Sequence, residues 1–175
     1  MKTKLANSNQ FNRKQLISSS VLAAASVTIL PSRLLRGEQT PSEHFRFAQI
    51  GAGGKGFSDR QAMLNADAKV VALCDVDKKR AQKAFDLHSD RPVYEDYCKL
   101  LDQHEKEIDG VVVSTPDHTH ACIALDAISR GKHVYVQKPL ARTFQEFQML
   151  SDASKKHGVV TQMGKQGHWG DGLKL

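Results

Sequence analysis

The feature that most constrains this sequence is a cluster of glycines that follows a short apolar run. Residues 47–60 read FAQIGAGGKGFSDR, with glycine at positions 51, 53, 54 and 56. Four glycines within six positions indicate either a tight backbone turn or a ligand that approaches the backbone closely. What precedes and follows the cluster decides between these two explanations.

Gly51, Gly53 and Gly56 match the pattern G-x-G-x-x-G, and their surroundings favour a dinucleotide-binding loop. A strand pattern precedes them, a helix pattern follows, and Asp75 lies nineteen positions after Gly56 at the end of the next apolar run. In such a loop the first glycine makes the turn, the second admits a pyrophosphate, and the third lets helix and strand pack closely. The helix N terminus adds unpaired N–H groups. The predicted pyrophosphate-binding residues are therefore Gly51, Gly53, Gly54, Lys55 and Gly56.

Asp75 is predicted to accept hydrogen bonds from the ribose hydroxyl groups of adenosine. A carboxylate at this position repels a 2′-phosphate, so the residue favours NAD over NADP as the cofactor. The alternative is that the neighbouring basic residues Lys78, Lys79 and Arg80 hold a 2′-phosphate. We favour a solvated helix face as the role of these three residues.

The periodicity of the sequence alternates between strands and helices from Phe45 onward. Apolar runs such as KVVALC and GVVVST are typical of strands that are buried on both faces. The predicted strands are 45–50, 69–74, 91–94, 110–115, 133–137 and 159–163, and the predicted helices are 56–66, 77–88, 95–106, 118–130 and 143–158. This alternation predicts an α/β fold, namely a Rossmann-type, doubly wound parallel sheet over residues 44–164.

Several helix ends also carry capping signals. Asp77 is a candidate N-cap, and Thr143 with Glu146 forms a candidate capping box. Gly131 and Gly158 are placed to end helices.

Two further stretches lie where the fourth and fifth predicted strands end. The first is STPDHTH, residues 114–120, and the second is GKHVYVQKPLA, residues 131–141. Because open α/β sheets bind ligands at the carboxyl ends of their strands, both stretches are expected beside the glycine loop.

With the glycine loop, these stretches resemble the Gfo/Idh/MocA oxidoreductase family over about residues 44–172. The family pattern T-P-N-x-x-H falls on Thr115, Pro116, Asp117 and His120, and its pattern E-K-P falls on Gln137, Lys138 and Pro139. The resemblance implies that Lys138 is catalytic, near the nicotinamide and the reacting hydroxyl. It also implies that Gln137 keeps an acceptor oxygen for a ribose hydroxyl. The further cofactor-binding residues predicted here are Ser114, Thr115, Pro116, His120, Gln137 and Lys138.

The resemblance implies an NAD-dependent oxidoreductase that moves a hydride between a sugar or cyclitol hydroxyl carbon and nicotinamide. One alternative is an NAD-dependent glycoside hydrolase of the same fold, and another is a non-catalytic dinucleotide-binding module. Family members carry a second α/β domain with the substrate pocket and the oligomer interface. Residues 165–175 resemble the start of that domain, so we expect a truncated form or fragment. A homo-oligomer is expected for the full-length form only.

The net charge of +6 comes from the first 36 residues, which hold six basic and no acidic residues. The remaining 19 basic residues balance the 19 acidic residues, so no nucleic-acid-binding surface is predicted. Arg13 and Lys14 precede an apolar stretch at 16–30 that is too short for a membrane anchor. Residues 1–36 resemble a twin-arginine export signal, with the general secretory route as the alternative, and 37–43 is a linker. We expect a periplasmic protein, or a cytoplasmic one if this leader does not function.

The cysteine and histidine residues predict neither a disulfide nor a metal site. Cys74, Cys98 and Cys122 are odd in number and lack the C-x-x-C spacing, and we expect Cys74 and Cys122 to be buried. His118 and His120 form an H-x-H pair without a third ligand cluster, so no metal is predicted.

Overall fold

The computed structural model describes residues 44–165, which form six strands and five α-helices. The strands are β1 (Arg46–Ile50), β2 (Lys69–Cys74), β3 (Val93–Tyr94), β4 (Gly110–Val113), β5 (His133–Gln137) and β6 (Thr161–Gly164). The helices are α1 (Lys55–Asn65), α2 (Lys78–Leu87), α3 (Tyr97–His104), α4 (His120–Ser129) and α5 (Phe144–His157). The predicted leader, the linker at 37–43 and residues 166–175 lie outside the described residues, so the predictions on them stay predictions.

The six strands form one parallel sheet with the order β3-β2-β1-β4-β5-β6. This order reverses direction between β1 and β4, which is the topological switch point of a Rossmann-type fold. The predicted fold class is therefore confirmed. The carboxyl ends of β1, β4 and β5 lie side by side, so the glycine loop and the stretches at the ends of β4 and β5 meet at one edge of the sheet.

The sheet buries a hydrophobic core on each face. On one face Ala48, Ile50 and Val113 pack with residues of α3, α4 and α5, including Leu100 and Leu150. On the other face Phe47, Val70 and Leu73 pack with residues of α1 and α2. Because neighbouring strand residues point to opposite faces, the continuous apolar runs supply both cores.

The predicted caps of α2 and α5 are confirmed. The Asp77 side chain accepts a hydrogen bond from the Arg80 N–H at the start of α2. At the start of α5 the capping box of Thr143 and Glu146 is complete, and Gly158 ends the helix with a left-handed φ of 65°. These caps fix where α2 begins and where α5 begins and ends, and so fix where the chain leaves and rejoins the sheet.

The structure corrects two details of the sequence analysis. The predicted helix at 118–130 is divided into a short 3-10 helix at Asp117–Thr119 and α4. Cys74 is buried as predicted, but the prediction for Cys122 was wrong, because it is exposed. The buried stripe of α4 contains Ala121, Ala124 and Ile128, and Cys122 is rotated about 100° from Ala121. No helix among residues 44–165 has the length and apolar character needed to cross a membrane.

Candidate functional site

The glycine loop continues strand β1 into the N terminus of α1, and no side chain caps that helix. The Gly51 N–H donates to the Cys74 carbonyl oxygen at 2.8 Å, and Gly51 has a φ of +84°. Gly54 is the N-cap of α1; no side chain caps this helix, and its first turn holds no acidic residue. The positive end of the helix dipole is therefore not neutralised by a carboxylate of its own first turn.

Close packing explains why two of these positions must be glycine. A Cβ atom on Gly56 would lie 1.7 Å from the Gly51 carbonyl oxygen. A Cβ atom on Gly51 would lie 2.6 Å from the Ser114 carbonyl oxygen. The turn at Gly51 and the helix packing at Gly56 thus have the steric reasons that the motif predicts.

Gly53 and Gly54 have a different neighbour. A Cβ atom on Gly53 would lie 2.9 Å from the Arg80 carbonyl oxygen, and one on Gly54 would lie 2.6 Å from Arg80 Nη2. The guanidinium of Arg80 therefore lies directly against the loop. Lys55, the first residue of α1, pairs with Asp59 at 2.6 Å. The loop therefore has two cationic side chains beside it.

Asp75 faces the glycine loop from the end of β2, as the motif predicts. Its Oδ2 accepts from the Gly53 N–H at 2.8 Å, and its Oδ1 accepts from the Asp77 N–H at 2.9 Å. These bonds fix the orientation of the carboxylate and leave each oxygen with further acceptor capacity. Val76, the next residue, is 82% exposed and adds an apolar surface beside the carboxylate.

The segment after β4 forms a compact turn. The Thr119 hydroxyl contacts the Thr115 hydroxyl at 2.7 Å and the Pro116 carbonyl oxygen at 2.8 Å. Ser114 continues the sheet, because its N–H donates to the Ile50 carbonyl oxygen at 2.8 Å. Ser114 and Thr115 are therefore held next to the glycine loop, while Pro116 is exposed.

His120 joins this turn to the segment after β5. The ring is fully buried, with Nε2 2.8 Å from the Thr115 carbonyl oxygen and Nδ1 2.7 Å from the Pro139 carbonyl oxygen. A neutral imidazole has a single N–H and donates to one of the two oxygens, whereas a protonated ring donates to both. Among residues 44–165 there is no cluster of three or more metal-ligating side chains.

Gln137 and Lys138 end strand β5 with opposite exposure. Gln137 is buried, and its Nε2 donates to Asp59 Oδ2 at 2.8 Å. Lys138 is exposed at the edge of the sheet, and the Lys138–Pro139 peptide bond is cis. The structure thus places all the predicted site residues along one edge, although Gln137 contacts a side chain that the sequence analysis did not consider.

Sequence reasoning missed three buried polar residues under this edge. Asp59 and Arg60 lie in α1, and Gln49 lies in β1. Arg60 donates to the Ala52 carbonyl oxygen at 3.3 Å, and burial lowers its pKa. Asp59 and Arg60 lie three and four positions after Gly56, which places them on the same side of the helix as Gly56, but the sequence does not show that this side is buried.

The described residues match a known protein family over almost their whole length. The profile of the Gfo/Idh/MocA family, described as an oxidoreductase family with an NAD-binding Rossmann fold, matches residues 45–165.

Three similar proteins illustrate the match. Inositol 2-dehydrogenase of Salmonella typhimurium is 33% identical over 117 residues, which are 66% of this chain and 34% of that protein. Glycosyl hydrolase family 109 protein 2 of Akkermansia muciniphila is 34% identical over 130 residues, covering 67% of this chain and 27% of that protein. The WlbA dehydrogenase from Chromobacterium violaceum, solved with NADH and UDP-GlcNAcA, has a TM-score of 0.70 at 22% identity, with coverage of 78% and 39%. This last likeness shows the fold alone. The chain spans about a third of the length of the curated relatives it matches.

Proposed function

Because the chain belongs to the Gfo/Idh/MocA oxidoreductase family, we propose that it takes part in NAD-dependent oxidation or reduction of a sugar or cyclitol hydroxyl group. The observation that carries the proposal is the juxtaposition of the Asp75 carboxylate with a helix N terminus that has a glycine cap and no acidic residue in its first turn. A ribose diol fits the first and an anion fits the second.

The pyrophosphate of NAD would be held by the backbone of the glycine loop. Gly54 caps α1 without a side chain. The Gly56 and Phe57 N–H groups donate to the Gly53 and Gly54 carbonyl oxygens at 3.0 and 3.2 Å, so the attraction for the pyrophosphate would come mainly from the positive end of the helix dipole. Arg80, Lys55 and the buried Arg60 add positive charge around the loop. Fixed N–H dipoles and nearby cations together suit a doubly charged group.

The adenosine of NAD would lie beyond Asp75 and Val76. The Asp75 carboxylate is already oriented by two backbone N–H groups, so it can accept from the ribose hydroxyls without reorganising. Lys78 pairs with Glu95 instead of standing free beside Asp75. The orientation of Asp75 and the pairing of Lys78 support NAD over NADP, while Arg80, the basic residue that lies against the loop, would face the pyrophosphate.

Lys138 would act on the substrate from the end of β5. When bound, NAD supplies the hydride acceptor, and the chain supplies position and charge. An ammonium group near the reacting hydroxyl stabilises the negative charge that develops on the oxygen as a general base takes its proton. Sugars and cyclitols are the substrate class proposed, because an inositol dehydrogenase is among the relatives.

Glycoside hydrolysis with transient use of NAD is the second candidate. The match to a family 109 glycosyl hydrolase favours it, and both reactions would begin with oxidation of a sugar hydroxyl. The residues described here serve either reaction, so the products must distinguish them.

Calorimetric titration of the purified chain with NAD and with NADP tests the cofactor site. We expect NAD to bind more tightly, and Asp75→Asn to weaken NAD binding by about tenfold, equivalent to about 1.4 kcal/mol. Asp86→Asn is the matched control, because Asp86 is an exposed carboxylate on α2 that pairs with Gln82. A wild-type protein that releases no heat with NAD contradicts the proposal.

A panel of sugars and cyclitols with NAD, followed by absorbance of NADH, tests the reaction. Formation of NADH that is lost in Lys138→Met supports the dehydrogenase. Release of an aglycone without net NADH supports the glycosidase. Binding of NAD without either product supports a dinucleotide-binding module.

A further inference from the structure

The buried carboxylate of Asp59 connects three parts of the site. Its side chain is 3% exposed. Its Oδ2 accepts from Ser114 Oγ at 2.7 Å and from Gln137 Nε2 at 2.8 Å, and its Oδ1 accepts from Lys55 Nζ at 2.6 Å. One charge thus holds the first turn of α1, the end of β4 and the end of β5.

The carboxylate also determines which way its neighbours point. An ionised carboxylate only accepts hydrogen bonds, so Gln137 must turn its NH₂ group toward Asp59 and keep its carbonyl oxygen for another donor. Ser114 commits its single hydroxyl hydrogen to Asp59, and it accepts from Gln49 Nε2 at 3.2 Å. Lys55, Ser114 and Gln137 thereby donate to one negative charge, and Gln49 joins this cluster of five residues, the Asp59 cluster, through Ser114.

Burial makes this orientation costly to change. A buried carboxylate is tolerated when charged and neutral donors surround it, and loss of one partner leaves the others unsatisfied. The Lys55 side chain is 48% exposed, whereas Asp59 and Gln137 are both buried. If the hydrogen bond between Asp59 and Gln137 is lost, water therefore replaces it less readily than it replaces the bond between Asp59 and Lys55.

We propose that Asp59 is a positioning residue for NAD, which acts through Ser114 and Gln137 and fixes the acceptor direction of both side chains beside the nicotinamide half of the cofactor. The inference rests on the proposed NAD-dependent function. It predicts that the polarity of the contact between positions 59 and 137 sets NAD affinity: one side must be an acceptor-only carboxylate and the other an amide.

A charge-swap cycle tests this polarity. The variants are Asp59→Asn, Gln137→Glu and the double variant Asp59→Asn/Gln137→Glu, each measured by calorimetry with NAD and by thermal unfolding. We expect each single change to weaken NAD binding by about tenfold or more, and the double variant to recover to within about threefold of wild type. The matched control is Gln148→Glu/Asp152→Asn, which swaps an exposed amide–carboxylate contact of 3.1 Å on α5. Its NAD affinity should not change.

The outcomes separate positioning from a purely structural role. A double variant that regains its unfolding temperature but not its NAD affinity overturns the inference, as do single variants that bind NAD like wild type. If the single variants do not fold, the double variant decides: a folded protein that binds NAD supports the inference, and an unfolded or non-binding one overturns it. A wild-type protein that does not bind NAD overturns the proposed function itself, so the two failures are distinct.

Discussion

The glycine loop and the Asp59 cluster lie at the same edge of the sheet but are built in opposite ways. The loop depends on missing side chains, because any Cβ atom on Gly51 or Gly56 would strike a carbonyl oxygen. The cluster depends on side chains that meet from distant parts of the chain, and Asp59 and Gln137 are 78 positions apart. The first is encoded by neighbouring residues, whereas the second is encoded only by the fold. A local pattern can therefore reveal where a ligand binds before it reveals what orients the groups around it.

The largest expected effect comes from adding one methyl group to the loop at Gly56. Gly56→Ala would place Cβ 1.7 Å from the Gly51 carbonyl oxygen, and we expect a loss of about 3 kcal/mol or more in the free energy of unfolding. Gly131→Ala is the control: its Cβ meets nothing within 4 Å, although its φ is +72°. That variant should lose only about 1 kcal/mol, the cost of a left-handed backbone. Urea unfolding measures both, and equal losses would contradict a steric role for Gly56.

The second effect is a difference in reactivity between the buried thiol of Cys74, beside the loop, and the two exposed thiols. Burial, with the nearby charges of Asp75 and Asp96, raises the pKa of Cys74 to about 12. Cys98 and Cys122 are exposed. We expect iodoacetamide at neutral pH to label two thiols in the native protein and three in denaturant, by mass spectrometry.

Labelling of Cys74 also distinguishes a disturbed glycine loop from a disturbed Asp59 cluster. In Gly56→Ala the third thiol should become reactive, because the Gly51–Cys74 backbone contact is disturbed. In the double variant Asp59→Asn/Gln137→Glu it should stay protected. Rapid labelling of Cys74 in the wild-type protein would show that the end of β2 is not packed as described.

The smallest expected effect concerns His88, which follows α2. Burial, together with the positive charges of Arg60 and Arg91, lowers the pKa of His88 below its ordinary value of 6.5, although Asp90 opposes the shift. The unfolded chain therefore binds a proton more readily than the folded one. The contribution of neutral His88 to the free energy of unfolding is therefore present above pH 6.5, the pKa in the unfolded chain, and it is lost as the pH falls through the lower pKa of the folded protein. His88→Gln should flatten this slope in unfolding experiments between pH 7.5 and 5, and an unchanged slope would contradict the prediction.

Most of the fold was predictable because its signals are local. Buried strands, helix caps and glycine positions each depend on a few consecutive residues, and the parallel arrangement of the sheet follows from the alternation of strands and helices. The roles of Asp59 and Arg60 were not predictable in this way. In sequence they are ordinary polar residues on a helix, and their burial depends on how α1 packs against the ends of β4 and β5. The exposure of Cys122 was misjudged because an apolar helix still has an outer side.

The imidazole of His120 has a consequence for ligand binding. Since one rigid ring touches the carbonyl oxygens of Thr115 and Pro139 at once, a displacement of either peptide is transmitted to the other. A nucleotide that displaces the Thr115 peptide would thereby shift the backbone next to Lys138. A molecule bound by that lysine would in turn change the affinity for the nucleotide. Linkage requires the two effects to be equal in free energy. If the proposed cofactor and substrate bind on either side of this histidine, it would couple their affinities.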